Sequence, residues 1–281
     1  MTDFLEQVVA SRRAYVAEAK ARRPVAELMR DAPERRSSPG RFVRRLRNRA
    51  HDGHLGVIAE VKRVSPALGT LADAASSAAE QAMRYEASGA TAISVLTEPR
   101  FWGGSLDDLR DVSAAVAIPV LCKDVIVDEY QVIEAFVAGA DAVLLIAEAL
   151  DDAEIRGLRR RAESLGMSVL VEAHETVAFG RAVASGALVV GVNARNLRDP
   201  QQIDIGRARQ LHTFVKDPQM LVAESGIASV DDARLLPARV DAVLVGTALM
   251  RADDPAPLIR GLAGIRRVRP HERTTITVIE R

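Results

Sequence analysis

Charged side chains stand where several short apolar stretches of the sequence end. Glu60 and Lys62 close the first stretch, Lys123 follows the third and Glu172 follows the fifth. A lysine ammonium can donate a proton to a carbonyl oxygen and a carboxylate can accept one, so these residue types suit general acid–base chemistry. A buried charge without a partner is costly, so we expect these groups to pair with one another or to await a charged ligand.

Later stretches end in a second kind of signal, made of small and polar residues. Asn193 and Arg195 follow the sixth stretch, and Glu224 ends the seventh. Ser225-Gly226 comes directly after Glu224, and Gly246-Thr247 follows the eighth stretch. Small residues let backbone N–H groups approach an anion at a helix start. The two dipeptides therefore predict a phosphate site and a phosphorylated small-molecule substrate.

The apolar stretches themselves read as the strands that must position these residues. They are short, β-branched and mostly unbroken by polar residues, which is typical of parallel strands buried on both faces. Helical patterns separate them, and several helices end in glycine just before a strand. The stretches are Val57–Val61, Ala92–Leu96, Pro119–Cys122, Ala142–Ile146, Val169–Val171, Val189–Val192, Leu221–Ala223 and Ala242–Val245.

Eight such β/α units predict an α/β protein with a closed (β/α)8 TIM barrel, whose chemistry belongs at the carboxyl ends of the strands. Ala138–Ile146 (AGADAVLLI) is similar to residues 238–246 (ARVDAVLVG), as a repeated unit requires. An open doubly wound sheet is the alternative. The sequence contains neither of the glycine-rich phosphate loops, GxGxxG and GxxxxGK[ST], that such sheets often carry.

The regions outside the barrel pattern differ from it. We expect an N-terminal helical extension over residues 1–50, the barrel over 51–264 and a C-terminal tail over 265–281. The tail, which includes Thr274–Ile279, is either disordered or an added edge strand. The arginine-rich run Arg41–Arg49 is either an anion-binding patch or the solvated face of a helix that buries Phe42, Val43 and Leu46.

Composition narrows the class of protein further. Of the 281 residues, 48% are hydrophobic and 27% charged, which excludes a wholly disordered chain. The 38 basic and 38 acidic residues cancel, so no net field draws the protein to nucleic acid or to a membrane. The single cysteine, Cys122, excludes an internal disulfide framework and suits a reducing compartment. Because the sequence shows no signal-peptide pattern and no long apolar run, we expect a cytoplasmic protein. For its assembly we expect a monomer or a weak homo-oligomer.

The order of these motifs along the chain resembles the indole-3-glycerol phosphate synthase family. The resemblance runs from about Val57 to about Gly264, and the helical segment before the barrel also fits it. The matching segments are IAEVKRVSPALG, AISVLTEPRFWGGSLDDL, PVLCKDVIVDEYQVIEAFVAGADAVLLI, LVEAH, VGVNARNL, VAESGI and DAVLVGTALMRADDP.

The resemblance implies a lyase of tryptophan biosynthesis that needs no cofactor and no metal. Its substrate is 1-(2-carboxyphenylamino)-1-deoxyribulose 5-phosphate, which closes to indole-3-glycerol phosphate with loss of carbon dioxide and water. A cation must polarise the ketone so that the aromatic carbon attacks it, and a carboxylate must handle the proton of the departing hydroxyl. Further donors must hold the phosphate and the carboxylate, beside an apolar wall for the aryl ring.

By position, the resemblance assigns the catalytic roles to charged residues of the strand ends. Lys123 matches the general acid at the ketone, Glu172 matches the carboxylate of the dehydration, and Glu60 with Lys62 matches a pair that shares proton transfer. The acid role leads us to expect a lowered pKa for the Lys123 ammonium, because burial beside Lys62 disfavours its charge.

The remaining matches concern substrate binding. They are Asn193 and Glu224 at the sugar hydroxyls, Ser65 and Arg195 at the carboxylate or phosphate, Ser225, Gly226, Gly246 and Thr247 at the phosphate, and Trp102 against the aryl ring. The chain departs from the family pattern at Ala67, where serine is frequent, and at Ala194, where many members have asparagine. We expect these departures to alter substrate positioning without abolishing activity.

The sequence leaves three other interpretations of its function open. One is a Schiff-base aldolase that uses Lys123, and another is a phosphoribosylanthranilate isomerase, for which Cys122 is badly placed. The third is a catalytically idle relative that only binds a ligand or partner, against which the retained charged set argues.

Overall fold

Eight parallel strands form a closed barrel in the computed structural model, which describes residues 3–32, 39–65, 69–70 and 77–267, without the side chains of Ser65 and Thr70. The strands are β1 (Gly56–Val61), β2 (Ala92–Leu96), β3 (Val120–Lys123), β4 (Ala142–Ile146), β5 (Ser168–Ala173), β6 (Val189–Asn193), β7 (Met220–Glu224) and β8 (Val240–Val245). Neighbouring strands are consecutive in the chain, and β8 pairs with β1. The predicted barrel is confirmed and the open sheet is excluded, and each predicted strand overlaps an observed one.

Helices precede the barrel and alternate with its strands. They are α1 (Phe4–Arg22), α2 (Val25–Leu28), α3 (Arg41–His51), α4 (Ala78–Ala87), α5 (Leu106–Ala115), α6 (Glu129–Val137), α7 (Asp152–Ser164), α8 (Thr176–Ala184), α9 (Arg207–Leu211), α10 (Val230–Arg234), α11 (Thr247–Arg251) and α12 (Ala256–Ala263). None of these helices is both long and apolar enough to span a bilayer in the part of the chain that the structure describes.

Local sequence signals set where the barrel helices begin and end. The side chains of Ser77, Ser105 and Asp151 accept hydrogen bonds from N–H groups in the first turns of α4, α5 and α7. Gly89 and Gly139 follow α4 and α6 with φ of 99° and 90°, a left-handed conformation that other residues rarely adopt. After each of these two glycines the chain leaves the helix and enters the next strand within a few residues.

Apolar side chains pack in two layers, because successive strand residues face opposite sides. On β1, Val57 and Ala59 pack against the surrounding helices, whereas Ile58 packs inside the barrel with Leu121 and Leu170. All five side chains are fully buried. The strands are thus covered on both faces, as their unbroken apolar sequences predicted.

The first and third helices lie at opposite ends of the barrel. Leu5 and Val8 of α1 join the interior cluster at the carboxyl ends of the strands, beside Ile146. Leu46 of α3 joins the same cluster from the other end, where a side-chain carbon comes close to Gly56 at the start of β1. The N-terminal helices therefore cover both openings of the barrel.

The described chain ends against the start of β1. The N–H of Arg267 donates to the carbonyl oxygen of Gly53 at 2.8 Å, and the N–H of Leu55 donates to Ile265 at 2.9 Å. The prediction for Ala67, and the prediction for the tail beyond Arg267, fall outside the described residues.

Candidate active site

A single cavity at the carboxyl end of the barrel collects the predicted site residues. Its volume is about 350 Å³, and it is lined mainly by apolar surface with a ring of charged groups. Every predicted site residue except Ser65, whose side chain lies outside the described part, lines this cavity. They are Glu60, Lys62, Trp102, Lys123, Glu172, Asn193, Arg195, Glu224, Ser225, Gly226, Gly246 and Thr247.

Strand alternation explains why these side chains point inward. Residues that precede the charged groups by two positions, such as Ile58, Leu170 and Val222, belong to the barrel interior. Glu60, Glu172 and Glu224 therefore also face inward, one step nearer the carboxyl end. The apolar interior thus continues directly into a charged layer.

Lys123 lies at the centre of this charged layer. Its Nζ donates to Oε2 of Glu172 at 3.0 Å and to Oε2 of Glu224 at 2.9 Å. Both carboxylates are almost wholly buried, and the Lys123 side chain is 14% exposed. The Nδ2 of Asn193 also donates to Glu172 Oε2, at 3.3 Å. Three strands thereby hold one ammonium at the cavity wall, with part of its surface open to a ligand.

The prediction of a lowered pKa for the Lys123 ammonium is wrong. Burial alone lowers the pKa of its ammonium, but the negative charges of Glu172, Glu224 and Glu60 outweigh burial and raise it above its ordinary value. The expectation placed a second cation, Lys62, beside Lys123. The barrel instead surrounds Lys123 with carboxylates, and Lys62 pairs with Glu60.

A second ion pair stands on the neighbouring wall. Lys62 Nζ lies 2.9 Å from Glu60 Oε1, and the other carboxylate oxygen of Glu60 is buried without a hydrogen-bond partner among the described residues. The Arg195 guanidinium is partly buried, which lowers its pKa, while the charge of Glu60 opposes that shift. Lys62 and Arg195 therefore place two cationic side chains on this wall of the cavity.

Burial raises the pKa of Glu224 well above its ordinary value, and the neighbouring Glu172 adds to the effect, while Lys123 opposes it. Glu224 is therefore a carboxyl group suited to holding a proton. Its Oε1 is buried and has no hydrogen-bond partner within the described chain.

Small residues form the wall next to β7 and β8. Ser225 and Gly226 both have left-handed backbone, with φ of 65° and 73°, so the chain turns sharply as it leaves β7. Gly246 precedes α11, whose first residue is Thr247. The N–H groups of a helix's first turn lack partners within the helix, which favours an anion at this end. Arg251, from the last turn of α11, lines the same cavity.

Aromatic rings cover another part of the rim. Trp102 and Phe4 pack edge to face with their centroids 5.7 Å apart, and Phe101 completes the group at 5.3 Å from Phe4. The carboxylate of Glu98 accepts hydrogen bonds from the N–H groups of Arg100, Phe101 and Trp102, at 2.6 to 3.2 Å. Glu98 thus folds the loop that presents Trp102.

Sequence reasoning missed Glu98 and the part played by α1. Glu98 lies two residues after β2, so the rule that found the other strand-end residues would have found it as well. The position of α1 depends on contacts between distant residues: Arg12 donates to Asp124 at 2.8 Å, and both side chains are buried. No local signal in the sequence predicts that pair.

A closed (β/α)8 barrel whose carboxyl-end cavity is lined by paired lysines and carboxylates has the architecture of a barrel enzyme. Comparison with known proteins specifies the family. Residues 5–262 match the sequence model of indole-3-glycerol phosphate synthase. The chain belongs to this family of decarboxylating lyases of tryptophan biosynthesis.

Individual relatives support the same family. The chain is 42% identical over 266 residues to the indole-3-glycerol phosphate synthase of Polaromonas sp. strain JS666, an alignment covering 94% of this chain and all of the relative. It is 52% identical over 210 residues to the enzyme of the same name from Nocardioides sp. strain JS614, covering 74% of this chain and 80% of the relative.

Solved structures of more distant proteins share the fold. Tryptophan synthase subunit alpha from Legionella pneumophila str. Paris matches with a TM-score of 0.59 at 14% identity, over 81% of this chain and 98% of that one. Thiamine phosphate pyrophosphorylase from Pyrococcus furiosus matches with a TM-score of 0.56 at 20% identity, over 77% and 95%. At these identities the likeness concerns the barrel alone.

Proposed function

We propose that the charged layer of this barrel converts 1-(2-carboxyphenylamino)-1-deoxyribulose 5-phosphate to indole-3-glycerol phosphate, carbon dioxide and water. The observation that best supports this reaction in this cavity is the position of the Lys123 ammonium, which is held between Glu172 and Glu224. A fixed, partly exposed cation of this kind meets the need of the first step, which is to polarise a ketone.

In the first step, Lys123 donates a proton to the ketone oxygen while the aryl carbon that bears the carboxylate bonds to the carbonyl carbon. The bond from that aryl carbon to the carboxylate then breaks, carbon dioxide leaves, and the electron pair returns to the ring system. The raised pKa of Lys123 keeps its ammonium charged before this step. Glu224, with a raised pKa and 2.9 Å from Nζ, is placed to return a proton to Lys123 afterwards.

In the second step, the new hydroxyl leaves as water and the ring becomes aromatic. Departure requires a proton on the hydroxyl oxygen and removal of a proton from the carbon that joins the new double bond. Glu172 is the carboxylate we place at this step, because it lines the cavity and lies within 3.0 Å of the acid Lys123. Glu60 and Lys62 serve as the second pair for these transfers.

Substrate binding uses the remaining walls. We place the phosphate at Ser225, Gly226, Gly246 and Thr247, the substrate carboxylate at Arg195 and the aryl ring at Trp102. Asn193 is placed at the sugar hydroxyls. Ser65 remains a candidate for the carboxylate or phosphate on the sequence match alone.

The direct test is turnover of the synthetic substrate, followed by the appearance of indole absorbance, together with rescue of a tryptophan auxotroph that lacks this step. We expect turnover and rescue by the wild-type chain. A folded wild-type protein that neither turns over nor rescues would exclude the proposal and leave the reading of a catalytically idle relative.

A Schiff-base aldolase requires a neutral lysine amine, whereas the carboxylates around Lys123 hold it charged. We therefore expect no covalent adduct when the protein is treated with borohydride in the presence of a carbonyl substrate. A trapped adduct on Lys123 would support the aldolase instead.

We further place the reaction in the cytoplasm. We also expect a monomer or weak homo-oligomer, and sedimentation of the purified chain would test this oligomeric state.

A further inference from the structure

A glycine of the barrel interior stands between the two carboxylates that bind Lys123. Gly191 lies in the middle of β6, level with Glu172 on β5 and Val222 on β7. Its strand neighbours Val190 and Val192 pack on the outer face, so Gly191 faces the interior. A glycine weakens a strand, and one at this position suggests that a neighbouring group approaches the backbone closely.

The group that approaches is the carboxyl of Glu224. A Cβ added to Gly191 would lie 2.1 Å from Oε1 of Glu224, 3.3 Å from its Cδ and 3.2 Å from Cβ of Glu172. The first distance is too short for any contact between unbonded atoms, so the Glu224 carboxyl occupies the space that a side chain at position 191 would need. Gly191 has no positive φ, so its backbone is open to alanine. Space, and not chain flexibility, is what the glycine supplies here.

We propose that Gly191 is a positioning residue for the reaction proposed above: the missing side chain forms the seat in which the Glu224 carboxyl reaches Lys123. The inference rests on the proposed function for its catalytic consequence, and on geometry alone for the seat. The same relation recurs at the other ion pair, where a Cβ on Gly246 would lie 2.3 Å from Oε1 of Glu60.

Filling the seat has a defined electrostatic consequence. The acidic groups that face Lys123 are Glu172 on β5, Glu224 on β7 and Glu60 on β1, and the last of these is paired with Lys62. These carboxylates raise the pKa of the Lys123 ammonium. If alanine at position 191 displaces the Glu224 carboxyl, Lys123 loses one of its two hydrogen-bonded carboxylates and its pKa falls.

A double-mutant cycle tests the seat by kinetics. We expect Gly191→Ala to lower kcat by about 100-fold, the cost of a displacement near 1 Å at a catalytic group, and Glu224→Ala to have an effect of similar size. In the double variant the Glu224 carboxyl is gone and the new methyl group keeps only the 3.2 Å contact with Cβ of Glu172, so its kcat should equal that of Glu224→Ala within about 3-fold. Gly180→Ala is the matched control, because a Cβ at Gly180 contacts nothing within 4 Å. Losses that multiply in the double variant would overturn the proposal.

A labelling experiment tests the seat without turnover. The free protein is treated with acetic anhydride at pH 10, and mass spectrometry compares acetylation of Lys123 with that of the exposed Lys20 and Lys216. We expect the relative rate at Lys123 to rise at least about 10-fold in Gly191→Ala and in Glu224→Ala, because an opposite charge within hydrogen-bonding distance shifts a pKa by about one unit or more. A rate in Gly191→Ala equal to that of the wild type would overturn the proposal.

The two experiments also separate the seat from the proposed function. An active wild type whose Gly191→Ala variant shows no labelling change excludes the seat and leaves the function standing. If Gly191→Ala shows the labelling change but the wild type has no turnover, the seat is supported and the proposed function is excluded. If Gly191→Ala folds poorly, the double variant should recover the melting temperature of Glu224→Ala, since the clash is then removed. Failure to recover it would count against the seat.

Discussion

Carboxylates stand at both ends of the barrel, but they have different partners. At the amino end of the strands, Asp141 Oδ2 accepts from the N–H of Val120 and from Arg41, both at 3.0 Å. Asp241 Oδ2 similarly accepts from the N–H of Leu221 and from Arg239, both at 2.8 Å. These partners all belong to the folded chain, and Arg239 also donates to the carbonyl oxygen of Gln219.

At the carboxyl end, Glu60, Glu172 and Glu224 bind lysines instead, whereas Glu98 at the same end accepts backbone N–H groups. Glu172 and Glu224 share Lys123, and Glu60 binds Lys62. One oxygen each of Glu60 and Glu224 is buried without a hydrogen-bond partner among the described residues. Such an arrangement costs stability, and it persists where a ligand or a proton uses the free capacity. The comparison supports the proposal that the aspartates of the amino end stabilise the fold and that Glu60, Glu172 and Glu224 serve the chemistry.

The largest effect that this comparison predicts is at Lys123. We expect Lys123→Ala to lower kcat at least about 100-fold, the usual contribution of a general acid. Steady-state kinetics on the synthetic substrate measures the effect, with circular dichroism to verify the fold. Lys216→Ala, at an exposed lysine, is the control and should keep wild-type turnover. Near-normal turnover by Lys123→Ala would refute its role as the acid.

The opposite end predicts a loss of stability without a loss of chemistry. Asp241→Ala removes the acceptor of the buried N–H of Leu221 and one of several partners of Arg239, so we expect the free energy of unfolding to fall by about 2 kcal/mol. Urea denaturation measures this, and kcat at a temperature where the variant is folded should match the wild type. Asp231→Ala, which breaks the exposed pair with Arg234, should change the unfolding free energy by less than about 0.5 kcal/mol. An Asp241→Ala variant of normal stability and reduced kcat would reverse the assignment of the two ends.

Much of this arrangement could be predicted from the sequence, because barrel strands and their ends are local features. The similarity of Ala138–Ile146 to residues 238–246 places Asp141 and Asp241 at the same position of two units, and the structure gives them the same partners, a backbone N–H and an arginine. The residues of the charged layer follow from reading the strand ends. Cys122, next to Lys123 in β3, is buried, and burial raises the pKa of its thiol to about 12, so it stays a neutral thiol.

Other features could not be predicted, because they depend on which distant residues become neighbours. The pKa of Lys123 is set by Glu172 and Glu224, which approach it only after the barrel closes. The need for glycine at position 191 could not be predicted from the neighbouring sequence either, because the carboxyl that occupies the space, that of Glu224, lies on the next strand. In the same way, α1 reaches the rim through the pair of Arg12 with Asp124, more than 100 residues apart in the chain.

The aromatic part of the rim predicts a smaller effect, on binding. Trp102→Ala removes an edge-to-face contact with Phe4 and the proposed surface for the aryl ring, so we expect KM to rise about 10-fold with a smaller change in kcat. Phe214→Ala is the matched control, because Phe214 packs edge to face on Phe179 at 6.2 Å, and neither residue lines the cavity. It should leave KM unchanged. Equal changes of KM in both variants would mean that the rim aromatics act only through stability.

The smallest effect is expected at the amino end, where the arginine-rich helix α3 offers the alternatives of an anion patch and a solvated face. Arg41 binds Asp141, and Arg49 donates to the carbonyl oxygen of Ala263, so part of the run holds the fold. Arg45 and Arg47 are exposed. We expect the variant that carries both Arg45→Ala and Arg47→Ala to keep wild-type kcat and KM, with a change in unfolding free energy within about 0.5 kcal/mol. Elution from a heparin column measures the alternative: a large loss of retention in this variant would establish an anion patch, and charge at this end would then serve binding as well as the fold.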